Sequence, residues 1–168
     1  MRTFMNIIKG GGAIALLLTL LSCTEPLQPD PVAGPQEKND EQQKEDTKMP
    51  DQIQMTISGK TLPVKLEDNQ ATRALVEVLQ KAPVSYTASD YGGFEKVGAL
   101  GRSLPTSNSQ ITAKAGDVIL YNGNQIVLFY GSNSWSYTRL GKIQYDTLDG
   151  LKSFLKAGEG DILVTLAL

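Results

Sequence analysis

Between positions 90 and 96 the sequence reads Asp-Tyr-Gly-Gly-Phe-Glu-Lys, which brings two carboxylates, a phenol, an ammonium and a pair of glycines into one short string. Acids and bases this close can hold a polar ligand or move a proton, and glycines let the main chain take positive φ or approach a bound group closely. Asp90, Tyr91, Gly92, Gly93, Phe94 and Glu95 are therefore the leading candidates for a ligand site. The same string equally suits a β-bulge or a corner needed to close a barrel. A glycoside-cleaving pair of Asp90 and Glu95 is disfavoured, because spacing along the chain does not set their separation and no other sugar-site cue accompanies them. Phe129, Trp135 and Tyr137 extend the candidate set. Phe129, in Val127-Leu128-Phe129, reads more readily as core, whereas Trp135, in a Gly-Ser-Asn-Ser turn, suits contact with a ligand or partner.

Absences narrow the chemistry further. The chain has no histidine, and its one cysteine is Cys23. Without imidazole there is no Ser-His-Asp or Cys-His nucleophile and no zinc site of the histidine kind, and without a second thiol there is no intramolecular disulfide. No pattern calls for a metal or a cofactor. Tyr91-Gly92-Gly93 lacks the Gly-Lys-Ser/Thr continuation of a phosphate-binding loop, and Gly10-Gly11-Gly12 lies in an apolar leader. Sixteen Lys and Arg stand against 18 Asp and Glu, and removal of residues 1–22, with Arg2 and Lys9, leaves 14 against 18. A mildly acidic chain with no basic stripe is not expected to bind nucleic acid.

These candidates need elements to hold them. Ile53, Met55 and Ile57 alternate with polar neighbours, and Gly59-Lys60 leads into Thr61 to Leu66, a β-hairpin pattern. Asp68 or Asn69 can cap a helix whose apolar face is Ala71, Ala74, Leu75, Val78 and Leu79, ending near Pro83. Strands are expected at 84–89, 117–121, 125–130, 136–143 and 161–166. The turn Asn122-Gly123-Asn124 joins two of them, and a short helix lies around 148–156. The stretch from 90 to 109 reads as a long glycine-punctuated connection. Closely spaced strands with only two helices argue a mainly β fold, a closed barrel with two covering helices that leaves no open edge.

The N-terminal segment has a different logic. Arg2 and Lys9 precede an apolar run from Gly10 to Ser22, too short to span a bilayer but suited to a signal peptide. Leu20-Leu21-Ser22-Cys23 resembles the bacterial lipobox, in which the cysteine is cleaved to become the new N-terminus and acylated, palmitate being among the expected chains. Thr24 after the cysteine resembles an outer-membrane address, so a lipid anchor in the bacterial cell envelope is expected, the outer membrane favoured over the inner. From Thr24 to about Pro50 the chain is polar, charged and proline-containing, which suits a disordered tether with a reach of roughly 30 Å. The expected organisation is a signal at 1–22, lipidated cysteine and tether at 23–50, and one folded domain at 51–168.

Several strings together resemble a known family. They are Leu66-Glu67-Asp68-Asn69, the 90–96 string, Arg102-Ser103-Leu104-Pro105-Thr106, Ala115 to Tyr121, Ile126 to Tyr130, and Ser136 to Ile143. In this order they are similar to the bacterial cyclophilin-like proteins, from about Ile53 to the C-terminus, and the resemblance implies an eight-stranded barrel. Cyclophilins proper isomerise peptidyl-prolyl bonds with an arginine in a Phe-His-Arg string. Here Arg102 stands in Leu-Gly-Arg-Ser-Leu-Pro, so that signature does not carry over. Prolyl rotation needs no proton transfer, so Arg102 or Arg139 beside an aromatic wall of Phe129, Trp135 or Tyr137 would be enough for a weak isomerase. The favoured expectation is a non-catalytic module binding a peptide, a small molecule or an envelope-protein partner. The alternative is a weak isomerase or proline-binding chaperone. A binding module predicts an apolar groove that no arginine faces; an isomerase predicts Arg102 or Arg139 projecting into the pocket.

Overall fold

The computed structural model describes residues 48–168; the expected signal, Cys23 and most of the tether lie outside the described residues. The hairpin pattern forms β1 (Gln52–Ile57) and β2 (Lys60–Leu66), turned by Ser58 and Gly59, both at positive φ. Helix α1 (Gln70–Leu79) starts where Asn69 accepts from Thr72 N at 3.0 Å, a side-chain cap for one of the orphan amides of the first turn. The same Asn69 donates from Nδ2 to the Arg139 carbonyl at 2.8 Å, so the cap also fixes the helix to the barrel.

After α1 come β3 (Val84–Tyr91), β4 (Glu95–Ala99), β5 (Ser109–Ala113), β6 (Asp117–Tyr121), β7 (Gln125–Phe129) and β8 (Asn133–Ile143). Helix α2 (Leu148–Phe154), capped by Thr147, and β9 (Ile162–Ala167) complete the chain. All pairings are antiparallel. The strands run β2-β1-β9-β3-β4-β7-β6-β8, and β8 pairs back onto β2 through Val64↔Ile143, Lys65↔Lys142 and Leu66↔Gly141. Eight strands thus form a closed ring, as the resemblance implied. The ninth, β5, stands outside the ring, paired with the first half of β8 from Ser109↔Tyr137 to Ala113↔Asn133.

Two elements differ from the sequence reading. The connection at 90–109 contains β4 and the start of β5, because Lys96 and Gly98 occupy inward positions of β4 where an apolar residue would have announced a strand. Trp135 lies in β8 opposite Ile111, not in a turn, since β8 begins at Asn133 and is held there by β5.

Alternation sorts the side chains. Ile53, Met55, Ile57, Tyr86, Ala88, Ile126, Leu128, Val164 and Leu166 meet inside the ring. Leu75 and Leu79 of α1 and Leu151 and Phe154 of α2 join the same cluster, so both helices close over the barrel's contents. Burying each such side chain contributes about 1.5–3 kcal/mol. Between Val118 and Ile119 the β6–β8 register shifts, leaving Leu140 as the extra residue of a bulge, and it too is buried in this cluster.

Candidate functional site

The 90–96 string is split by the pleat. Tyr91 pairs with Glu95 across the β3–β4 hairpin and Asp90 with Lys96, and directly opposed residues share a face. Gly92 and Gly93, at φ 61° and 74°, turn the hairpin, and a Cβ on Gly92 would collide with the Phe94 ring. The two glycines therefore serve the corner. Asp90 and Glu95 face opposite sides of the sheet, which separates them as a catalytic pair.

Asp90 and Lys96 point to the interior side, where they close one end of the barrel. Lys96 is wholly buried, donating to Asp90 Oδ2 at 2.7 Å and to the Gly160 carbonyl. Asp90 also accepts from Tyr130 OH at 3.0 Å, Gly158 N at 3.1 Å and Gly160 N at 3.0 Å. Burial acts to raise the Asp90 carboxyl, but the hydrogen bonds from Lys96, Gly158, Gly160 and Tyr130 outweigh it and hold the group down to about 2. Every strong partner is internal, so this cluster is a plug pinning the 156–160 turn to the barrel.

The opposite side of β4, β6 and β7 carries a second apolar cluster. Ala113, Ile119, Val127, Phe129 and Tyr137 are buried there, with Phe94, Val97, Ile111 and Tyr121 packed against them. Phe129 is its centre: the Phe94 ring lies 6.2 Å away in a stacked arrangement and the Tyr137 ring 5.8 Å away edge-on. Tyr121 in turn meets Tyr137 edge-on at 6.0 Å. Phe129 is fully buried and Phe94 partly so, and both support the site from beneath.

Beside this cluster opens a cavity of about 410 Å³. Val97 and Val127 supply apolar lining, Tyr91, Tyr121, Trp135 and Tyr137 supply rings, and Gln125 and Asn133 supply amides. Tyr91 and Trp135 are 66% and 56% exposed, large for an aromatic and a sign that these rings bound an opening. The acidic group of the lining is Glu95, only 6% exposed, whose Oε2 is buried with no hydrogen-bond partner. Burial pushes its carboxyl up to about 7. Asn133 Nδ2 donates to Tyr137 OH at 3.0 Å; burial, and then the nearby Glu95 charge, raise the Tyr137 phenol against that bond.

Of the sequence candidates, Tyr91, Glu95, Trp135 and Tyr137 meet at this cavity, whereas Asp90, Gly92, Gly93, Phe94 and Phe129 do not line it. Neither arginine does. Arg102 is exposed in the 100–108 connection, and Arg139 donates from Nη2 to Asp117 Oδ2 at 3.0 Å, next to Ile119. Val97, Tyr121, Gln125, Val127 and Asn133 were missed. A signal was present in the unbroken apolar run Ile126 to Phe129, which marks a strand covered on both faces. Among the described residues no group of three Asp, Glu, Cys or His side chains is placed to hold a metal ion.

A closed eight-stranded antiparallel ring with two covering helices is a small β-barrel domain of the cyclophilin type. The model of the cyclophilin-like family matches residues 55–167, and the chain belongs to that family. Among solved structures it is similar to a hypothetical protein from Archaeoglobus fulgidus, with a TM-score of 0.53 and 16% identity over 71% of this chain and 95% of that one. It is also similar to McbB, solved in complex with tryptophan, with a TM-score of 0.50 and 14% identity over 69% of this chain. The match spans 44% of the McbB chain. These likenesses show the fold. No curated protein matches the chain in sequence.

Two stability predictions follow from the two carboxylates. Asp90→Ala strands a buried ammonium and is expected to cost about 3–5 kcal/mol in urea unfolding, most of it recovered by adding Lys96→Met. Glu95, whose carboxyl rises from 4.5 to about 7, favours the fold fully below pH 4.5 and loses that contribution as pH rises through 7. Glu95→Gln is therefore expected to stabilise the protein by roughly 1–3 kcal/mol at pH 8 and by little at pH 4, read as a pH series of unfolding midpoints.

Proposed function

We propose that this protein is a lipid-anchored envelope module that binds a small ligand in the cavity beside Glu95, without turning it over. The observation that carries this reading is the lining itself: exposed rings of Tyr91 and Trp135 around a buried, unpaired carboxyl, with no arginine among the lining residues. Concave sites of this kind, mostly apolar with a few placed polar groups, are how small molecules are held. McbB, which shares the fold over part of its length, was solved in complex with tryptophan, and a small-molecule occupant here is in keeping with that. Arg139 is held by Asp117 and Arg102 stands in a separate connection, so neither supplies the donor that a prolyl isomerase of the kind considered needs beside an aromatic wall. The anchor rests on the Leu20-Leu21-Ser22-Cys23 string after the apolar run. Among the described residues no helix is long and apolar enough to cross a membrane.

Trp135 is the chain's one tryptophan, so its fluorescence reports on the cavity without labelling. Titration with a library of small molecules and peptides is expected to give a saturable emission shift, weakened about tenfold by Tyr91→Ala or Tyr121→Ala. Cis-to-trans conversion of prolyl peptides is expected to proceed at the uncatalysed rate. Acceleration abolished by Arg102→Ala or Arg139→Ala would overturn the reading and make this an isomerase. For the anchor, palmitate labelling and membrane sedimentation in cells are expected for the native chain and lost with Cys23→Ser; an unlabelled native chain would refute it.

A further inference from the structure

Resting on the reading of this cavity as a ligand site, we propose that its occupant is a small primary amine in its protonated form, with an apolar body, whose ammonium donates a hydrogen bond to Glu95 Oε2. Three features of the lining converge on that chemistry.

The first is the orphaned acceptor. A buried polar atom without a partner is costly, and Glu95 Oε2 is one of three such side-chain atoms among the described residues. Tyr86 OH belongs to the interior and Arg139 Nε to the pair with Asp117, which leaves Glu95 as the one of the three that lines this cavity. An N–H donor from a ligand satisfies it with a charge-assisted bond, about twice as strong as a neutral one.

The second is charge. Glu95 is the acid of the lining, and the other lining groups are valines, tyrosines, a tryptophan and two amides, with no lysine or arginine. Lys96 follows Glu95 in sequence, but it faces the other side of the sheet and is held by Asp90. An anion entering the cavity would meet an uncompensated carboxylate, and a neutral alcohol would forgo its attraction. A cation gains the ion pair within a lining that holds four aromatic rings, Tyr91, Tyr121, Trp135 and Tyr137, a setting that favours an ammonium over an anion.

The third is size. About 410 Å³ lies at the small end of ligand sites, enough for a whole small molecule whose hydrocarbon part packs on Val97 and Val127. A quaternary ammonium would use the rings but would leave Oε2 without a donor, so the hydrogen-bond deficit selects an amine that still carries N–H.

Binding is coupled to ionisation of Glu95. The groups that face it are the phenols of Tyr91 from β3, Tyr121 from β6 and Tyr137 from β8, with Tyr130 near enough to feel its charge. The Tyr130 and Tyr137 phenols are held above their ordinary value, so they stay neutral across the window in which Glu95 titrates. An ammonium prefers the ionised carboxylate, so affinity increases as pH rises through about 7.

The test uses the purified full chain, Trp135 fluorescence and isothermal calorimetry. The probes are cyclohexylmethylamine, its neutral counterpart cyclohexylmethanol, the anion cyclohexanecarboxylate, and the N,N,N-trimethyl derivative of the amine. The amine is expected to bind at least tenfold more tightly than each of the other three, to gain about tenfold between pH 6 and pH 8, and to lose both preferences in Glu95→Gln. Alcohol and amine binding within threefold of one another would overturn the charge assignment while leaving the cavity a ligand site. Equal binding of the trimethyl derivative would overturn the hydrogen bond to Oε2. If N-acetyl-lysine amide bound tenfold more tightly than the amine, the occupant would be a protein lysine and not a free small amine. Failure of the amine to bind, with unchanged circular dichroism confirming the fold, would overturn the inference. The wider library titration then decides separately whether the cavity takes any ligand.

Discussion

Three residues of β2, Val64 to Leu66, pair with Ile143 to Gly141 of β8, and this short ladder turns a sheet into a ring. The approach is close enough that a Cβ on Gly141 would collide with the Lys65 carbonyl, so the seam depends on a residue without a side chain. Once the ring is shut, every strand has an inside and an outside. The inward residues share one core with both helices, and neither edge of the eight-stranded sheet is left open.

Closure also explains why β4 can carry opposite charges on neighbouring residues. Lys96, facing in, is tolerated because Asp90 Oδ2 and the Gly160 carbonyl in the 156–160 turn accept its hydrogen bonds at the end of the barrel. Glu95, facing out, would be an ordinary solvated acid on an open barrel wall. It is buried because β5 and the first half of β8 form an arm beyond the ring, with Ala113, Ile111 and Tyr137 joining Phe129, Val127 and Ile119 on that wall. The acid is thus held in an apolar, aromatic setting that the barrel alone would not create, and its raised carboxyl is the electrostatic consequence.

Membership of the cyclophilin-like family accounts for the architecture and leaves the chemistry to the site, as folds in general do. The arginines to which isomerase chemistry would have fallen are occupied elsewhere or stand apart from the aromatic cavity. On the reading proposed above, binding energy at this wall comes from rings, two valines and one carboxyl, a set suited to recognising a ligand by charge and shape.

Much was legible along the chain. Alternation at Ile53, Met55 and Ile57, the helical spacing of Ala71, Leu75 and Leu79, the Asn69 cap and the Asn122-Gly123 turn are local signals, and the structure has each of them. Of the 90–96 string, Tyr91 and Glu95 line the cavity, while Asp90 went to the plug, because a pleat sends neighbours to opposite faces. β4 was illegible since its inward positions hold Lys96 and Gly98, and β5 since Ser-Gln-Ile-Thr-Ala shows little apolar alternation. By itself the sequence determined the strand and helix segments with strong periodicity, the absence of histidine and the apolar run from Gly10 to Ser22 before Cys23. Only the tertiary structure decided which carboxylate is satisfied and which is left wanting a partner. Burial depends on strands distant in sequence closing over a residue, and no local pattern encodes that.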